Sequence, residues 1–286
     1  MSDAQCVELL RWALPRLGLR FEGFRRVRRR VCRRIARRIS ALGLADAAAY
    51  RRVLETRVEE WAVLDALCRI PISRFYRDRG VFDGLRRAVL PVLAEAARAR
   101  PDGCLRAWSA GCASGEEPYT LAACLELEVA PRHPGLAFAI VASDIDALLL
   151  ERARAARYSW SSAKDVPPSW REALFESFDG ALAVRERLRL AVEFRLDDLR
   201  RRAPDGLFDL VLCRNTVFTY FAPSVQGEVL SRIAARLRRG GALVLGRHEV
   251  LPDAATRFVP WQDAPSAFRW LGPEPDDAEA RSPQQP

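Results

Sequence analysis

The sequence predicts an α/β protein, a doubly wound and largely parallel sheet closed by a terminal antiparallel hairpin and preceded by a small all-α domain. Three observations predict it. Through residues 1–80 apolar positions recur every three or four residues, and no strand pattern intervenes. From Cys104 onward, short continuous apolar runs alternate with helical patterns, as buried parallel strands and their crossover helices do. The first of these runs breaks into Gly111-Cys112-Ala113-Ser114-Gly115-Glu116-Glu117 and then an apolar helical stretch. Strand, glycine turn and helix in that order bring backbone close to a nucleotide-like ligand.

In chain order, a first helix is expected over 5–18, disturbed at Pro15, and a second over 20–42. In the second, Phe24, Val27, Val31, Ile35, Ile39 and Leu42 form one buried stripe, while arginines fill the other faces between 24 and 39. That basic surface reads either as a solvated helix face or as a docking face for something acidic. Gly43 ends the helix, and Asp46 caps the next, which carries Tyr50, Val53, Leu54, Val58 and Trp61. A helix over 81–99 links this part to the sheet. Strands are expected at 104–108, 137–143, 208–213 and 242–246, with helices over 147–156 and 224–237. Residues 181–184 and 188–196 are expected to form a hairpin, and 258–261 with 267–271 a terminal one. The tail over 273–286, rich in Pro, acid and Gln, is expected to be disordered. The expected domains are therefore 1–80 (helical), 81–103 (linking helix) and 104–272 (ligand-binding), followed by the tail.

The 286 residues suffice for a substantial core, and 49% hydrophobic content points to a globular protein. No apolar run reaches transmembrane length, so no membrane insertion is expected. The start of the chain lacks a basic segment followed by an apolar one, which makes cytoplasm the expected location. Seven scattered cysteines without a CxxC pair argue against a disulfide framework or a metal site and for reduced thiols. The net charge of +9 rests almost wholly on arginine, since Lys164 is the single lysine. It favours anionic partners, an acidic protein before nucleic acid, because the basic helix lacks interleaved aromatics.

Acids close successive strands: the Glu116–Glu117 pair after the first, Asp144 after the second and Asp198 after the third. Asn215 follows a fourth. In an open parallel sheet these ends converge on one ligand crevice. A phosphate site calls for Lys or bare N–H groups, whereas paired acids suit an ammonium or sulfonium. Asp144 can accept ribose hydroxyls, Asp198 an adenine amino hydrogen, and Glu117 an amino-acid ammonium. That set describes S-adenosylmethionine better than a nicotinamide dinucleotide. Taken singly, each acid also reads as a helix N-cap.

Four segments in this order then carry a resemblance. They are Ser73-Arg74-Phe75-Tyr76-Arg77-Asp78, Trp108 through Tyr119 with its GEEPY end, Ser143-Asp144-Ile145-Asp146, and Phe208 through Asn215. Over roughly 20–272 the chain resembles the CheR-type chemotaxis protein-glutamate O-methyltransferases. The resemblance implies a class I methyltransferase (Rossmann-like) fold, S-adenosyl-L-methionine as cofactor and S-adenosyl-L-homocysteine as product. It also implies methyl transfer to a glutamate of a receptor or signalling partner that docks on the Arg-rich helix 24–39. Carried over by motif, Ser73 and Arg77 line the transfer site, Ala110 and Gly111 form the cofactor loop, and Glu117 holds the ammonium. Asp144 takes the ribose, Asp198 and Leu199 the adenine, while Arg214 and Asn215 close the pocket. Tyr220 faces the reacting carboxylate, and Arg77 with Tyr220 would be catalytic.

The chain departs from the family pattern at four places. Pro71 replaces an Asn, Asp198 replaces an Asn, and Gly246-Arg247-His248-Glu249 replaces GHSE. Between Asn215 and Tyr220 there is one residue more than usual, which would turn Tyr220 by a helical step. These changes leave open an alternative, a methyltransferase of a small molecule or other non-receptor acceptor. A thiol or amine acceptor would need a base, with His248 or Tyr220 as candidates. A non-catalytic binder of the same cofactor is a further alternative.

Overall fold

The computed structural model describes residues 1–273, so the expectation for the tail lies outside the described residues but for Pro273. Its contacts divide the chain into two units, Met1–Pro71 with Thr216–Gln226, and Ile72–Asn215 with the chain from Gly227 on. The boundary thus lies at Pro71 rather than 80, and a short segment far along the chain belongs with the helices.

The helical unit contains helices Asp3–Ala13, Arg28–Ala41, Ala47–Thr56 and Val58–Cys68. Ser2 and Gln5 cap the first reciprocally, and Asp46 accepts from the Ala49 N–H. Of the expected stripe, Phe24, Val31, Ile35 and Ile39 are buried among Leu9, Leu10, Leu14, Tyr50, Leu54 and Leu64. The expected helix over 20–42 is split into Phe21–Phe24 and Arg28–Ala41. Beside that break, Gly23 allows the Thr219 carbonyl to approach. A Cβ on Gly23 would sit 2.2 Å from that oxygen. The segment Thr216–Gln226 is held there by Arg20 N–H donating to Tyr220 O (2.9 Å) and Ala222 N–H donating to Gly18 O (2.8 Å). The Arg20 guanidinium adds bonds to the carbonyls of Phe218 and Thr219.

Cys6 and Cys32 are joined by a disulfide, which corrects the expectation that all thiols are reduced. Spacing along the chain could not show that Asp3–Ala13 and Arg28–Ala41 pack with these two positions facing.

The second unit is built on a seven-stranded sheet. The strands of the unit, counting those outside this sheet, are β1 (Cys104–Ala110), β2 (Ala137–Asp144), β3 (Arg157–Tyr158), β4 (Phe175–Phe178), β5 (Ala181–Val184), β6 (Val192–Leu196), β7 (Phe208–Leu212), β8 (Leu237–Val244), β9 (Phe258–Trp261) and β10 (Ala264–Trp270). The main sheet runs β6-β2-β1-β7-β8-β10-β9, while β3, β5 and β4 form a separate sheet. The strands from β6 to β8 are parallel, and β10 pairs antiparallel with β8 and β9. This is the expected doubly wound sheet with its terminal hairpin. Strand order reverses between β1 and β7, the switch point at which such sheets open a crevice.

The hairpin expected over 181–196 is not formed. β5 pairs with β4 and β3, Glu186–Leu190 is helical, and β6 lies parallel to β2 at the edge of the main sheet. The turn chemistry explains this. Asp179-Gly180, both at positive φ (49° and 72°), is the two-residue turn that joins β4 to β5, whereas no such pair follows β5. Among the described residues, no helix is long and apolar enough to cross a membrane.

Candidate functional site

The carboxyl ends of β6, β2, β1 and β7 carry the residues singled out in the sequence. After β1, which ends in buried Ala110, the chain turns through left-handed conformations at Gly111 (φ 79°), Ala113 (49°) and Gly115 (92°). The N–H groups of Gly111 and Cys112 both donate to the Ser143 carbonyl, at 2.8 and 3.0 Å, so the loop is latched to the end of β2. The Ala113 N–H donates to Asp144 Oδ2 at 2.8 Å, and Asp144 Oδ1 accepts from the Asp146 N–H. At Gly115 a Cβ would come within 2.9 Å of both the Ala153 Cβ and the Tyr158 hydroxyl. Glycine is therefore required twice over there, by φ and by space.

The two glutamates that follow have different surroundings. Glu116 is buried and accepts from Ser114 Oγ at 2.8 Å within the turn. Glu117 Oε1 accepts from Ser109 Oγ at 2.8 Å, and its Oε2 accepts from Arg214 Nη1 at 3.0 Å. Burial pushes the Glu117 carboxyl above its ordinary pKa, against the pull of Arg214, Ser109 and Arg77.

Arg214, directly after β7, is the hub of the site. Its side chain is 1% exposed. It binds Glu117, donates to the Arg77 carbonyl (2.7 Å) and to Asp78 Oδ2 (3.0 Å), and lies over the Phe82 ring. Asn215, at φ 56°, donates through Nδ2 to the same Asp78 oxygen at 3.3 Å. Its backbone N–H donates to Glu249 Oε2 at 2.6 Å, and that oxygen also takes the Gly246 N–H at 2.8 Å. A Cβ on Gly246 would lie 2.9 Å from Asn215 Oδ1, so this glycine lets the β8 loop close on the corner.

The segment 73–78 reaches the same place. Tyr76 (φ 56°) and Asp78 (φ 59°) are both left-handed, a conformation that costs a residue with a Cβ and persists where surroundings over-determine it. Tyr76 is fixed by Thr120 Oγ1, which accepts its N–H, and by Asp83, which accepts its hydroxyl. Arg77 Nη1 donates to the Ile72 carbonyl, and Ser73 is half-buried. Asp78 holds both Arg214 and Asn215 through one carboxylate oxygen.

Asp198 follows β6, and Arg200 takes both of its oxygens, through its N–H and its Nε. Leu199 beside it is buried. Tyr220 lies in the helical unit, where its ring packs on Phe24 at 5.0 Å between centroids. His248 is exposed, while His133 is half-buried next to Glu95. The structure thus brings together Arg77, Ala110, Gly111, Glu117, Asp144, Arg214 and Asn215, and adds Asp78, Ser109 and Glu249. All three sit inside segments read from the sequence, but nothing local shows what they bind.

The donor set fits S-adenosylmethionine. A buried carboxylate whose proton affinity is raised by desolvation is relieved by an added cation. Glu117 accepts two hydrogen bonds of the roughly four that a carboxylate can accept, so an ammonium has room.

The family model described as "CheR methyltransferase, SAM binding domain" matches residues 72–264. The chain belongs to the CheR methyltransferase family. A chemotaxis protein methyltransferase of Listeria monocytogenes is 35% identical over 190 residues, 66% of this chain and 69% of that protein. One of Salmonella typhimurium is 33% identical over 230 residues, 77% and 75% of the two chains. The first chemotaxis methyltransferase of Vibrio cholerae is 36% identical over 189 residues, 64% and 66%. This CheR-family chain is an S-adenosylmethionine-dependent methyltransferase, and the sheet described above is its cofactor-binding fold.

Proposed function

We propose that the chain methylates glutamate carboxylates of a chemoreceptor or receptor-like signalling partner in the cytoplasm. The observation that carries this reading is the Glu117–Arg214–Asp78 constellation, set beside Arg77 at the switch point of the sheet. The cofactor, when bound, supplies a methyl group on a positive sulfur. A glutamate side chain is ionised at neutral pH, so it needs no general base to attack that carbon. The protein's task is then placement of oxygen, carbon and sulfur in line.

In this reading Glu117 holds the ammonium, its negative charge steadied by Arg214 and Ser109. Asp144 takes the ribose hydroxyls, while Ala110 and Gly111 let backbone approach. Leu199 lies against the adenine. Asp198 accepts its amino hydrogen in competition with Arg200, whose side chain would have to yield. Asn215 is held by Glu249 and Asp78 and closes the pocket. Arg77, with Ser73, clamps the acceptor anion; a role for the Tyr220 hydroxyl toward the acceptor rests on the motif resemblance.

The partner docks on the basic helix Arg28–Ala41, and its arginines divide into two sets. Arg28 pairs with Asp3, Arg34 donates to the carbonyls of Leu67 and Arg69, and Arg38 grips Glu60. Arg29, Arg30, Arg33 and Arg37 are exposed and supply the docking charge, together with Arg25 and Arg26 ahead of the helix.

The test is incubation with methyl-labelled cofactor and receptor fragments. Base-labile label on protein glutamate is expected, and Arg77→Ala abolishes it while cofactor binding persists. Base-stable label on a small molecule would replace this reading with that of a non-receptor acceptor.

A further inference from the structure

One cavity in the second unit shares a single residue, Asp78, with the site described above. Its volume is about 380 Å3, room for one or two side chains rather than for a folded element. The floor is apolar, made by Val81, Leu85 and Val244, and Arg79 and Arg247 stand at the rim. Both arginines are exposed. The carboxylate in its wall is Asp78, one of whose oxygens is already bound by Arg214 and Asn215. The field that remains in the cavity is therefore cationic.

Its position matters as much as its charge. Asp78 is shared between the cavity wall and the Arg214–Asn215 corner. Arg247 follows Gly246, which with Glu249 closes that corner. Arg247 is also one of the residues by which the sequence departs from the family's usual GHSE.

We propose that this cavity is an acceptor-specificity subsite that receives a second acidic side chain of the segment being methylated. Its methylenes lie on Val81, Leu85 and Val244, and its carboxylate sits between Arg79 and Arg247. An arginine fork matches a carboxylate in geometry as well as charge, so a pair of them discriminates Glu from its isostere Gln. The inference rests on the glutamate-methylation reading and refines it, from which atom is methylated to which neighbours are recognised.

The experiment uses synthetic peptides that carry one acceptor glutamate and a second glutamate placed at successive neighbouring positions, each with a counterpart bearing glutamine there. Peptide binding is read by fluorescence anisotropy in the presence of S-adenosylhomocysteine, and methyl transfer by labelled cofactor. The full chain should bind at least one acidic peptide about tenfold more tightly than its glutamine counterpart, with the difference falling as salt rises. In the Arg79→Ala/Arg247→Ala variant the preference should vanish through KM, with kcat on the glutamine peptide and cofactor affinity unchanged. Arg247→Glu should invert the preference toward a peptide with Lys at that position. Equal binding of acidic and glutamine peptides, or a preference that survives in the double variant, overturns the subsite while leaving glutamate methylation intact. Discrimination in binding without ester formation on any peptide overturns the methylation reading instead.

Discussion

Glu117 shows how one residue sets both charge and affinity. Desolvation raises its proton affinity, so its ionised form costs stability in the folded chain. The sign follows from linkage. A carboxyl whose folded pKa lies above the unfolded one binds more protons when folded, and its contribution to stability fades as pH rises through the raised value. The cofactor's ammonium acts oppositely, since it binds the ionised carboxylate. The thermal shift caused by S-adenosylhomocysteine should therefore grow as pH climbs above the ordinary glutamate range. In Glu117→Gln that growth should disappear and Kd should rise by tenfold or more, about the value of one charge-assisted hydrogen bond. Calorimetry across pH checks both, and a wild-type shift that is flat with pH would remove Glu117 from the ammonium role. Tyr220 makes a separate case. Tyr220→Phe keeps the ring on Phe24, so the melting temperature should hold. If the hydroxyl orients the acceptor, kcat should fall about tenfold or more. An unchanged kcat would leave Tyr220 as a packing residue.

At the scale of elements, the basic helix Arg28–Ala41 does two things with one residue type. Arg38 satisfies Glu60, which lies in the core and also takes the Tyr50 hydroxyl at 2.8 Å, so it is structural. Arg29, Arg30, Arg33 and Arg37 face solvent. Replacing those four by Gln should leave the melting temperature nearly unchanged and weaken an acidic partner in a salt-dependent way, measured by titration at two ionic strengths. Affinity that stays constant would return the helix to a solvated face. Arg38→Gln should do the reverse, lowering the melting temperature because it leaves a buried carboxylate underpaired. The glycine loop is the second telling element. Its backbone reaches both Ser143 and Asp144, so the end of β2 and the turn after β1 form as one piece, and a Cβ at Gly115 disturbs both.

For the molecule as a whole, the disulfide adds a condition of its own. Cys6–Cys32 closes a loop with a sequence separation of 26. Chain-entropy reasoning gives about 3.5 kcal/mol for a loop of that order. Cys6→Ser, or thiol reductant added to the wild type, should lower the melting transition of the helical unit and leave that of the sheet unit in place. Two-transition calorimetry checks this. A helical transition indifferent to reductant would mean that the pair is not bonded in solution.

What the sequence determined by itself was whatever depends on neighbours along the chain. The periodic stripe of Arg28–Ala41, the apolar strands, the positive-φ glycine turn and the acids at strand ends are all written within a few residues of one another. For that reason Glu117, Asp144 and Asn215 are legible as strand-end residues, whereas Arg214 is indicated by the family resemblance alone. The Asp179-Gly180 turn was equally local, and its chemistry, read for what it is, places β4 against β5. Tertiary structure alone decided what meets across long separations. It made Asp78 the partner of Arg214 and Asn215, set Glu249 under the Asn215 N–H, joined Cys6 to Cys32 and drew Thr216–Gln226 into the helical unit around Gly23. These pairings depend on how packed faces bring distant backbone together, and periodicity within one segment carries no record of which face another segment will present to it.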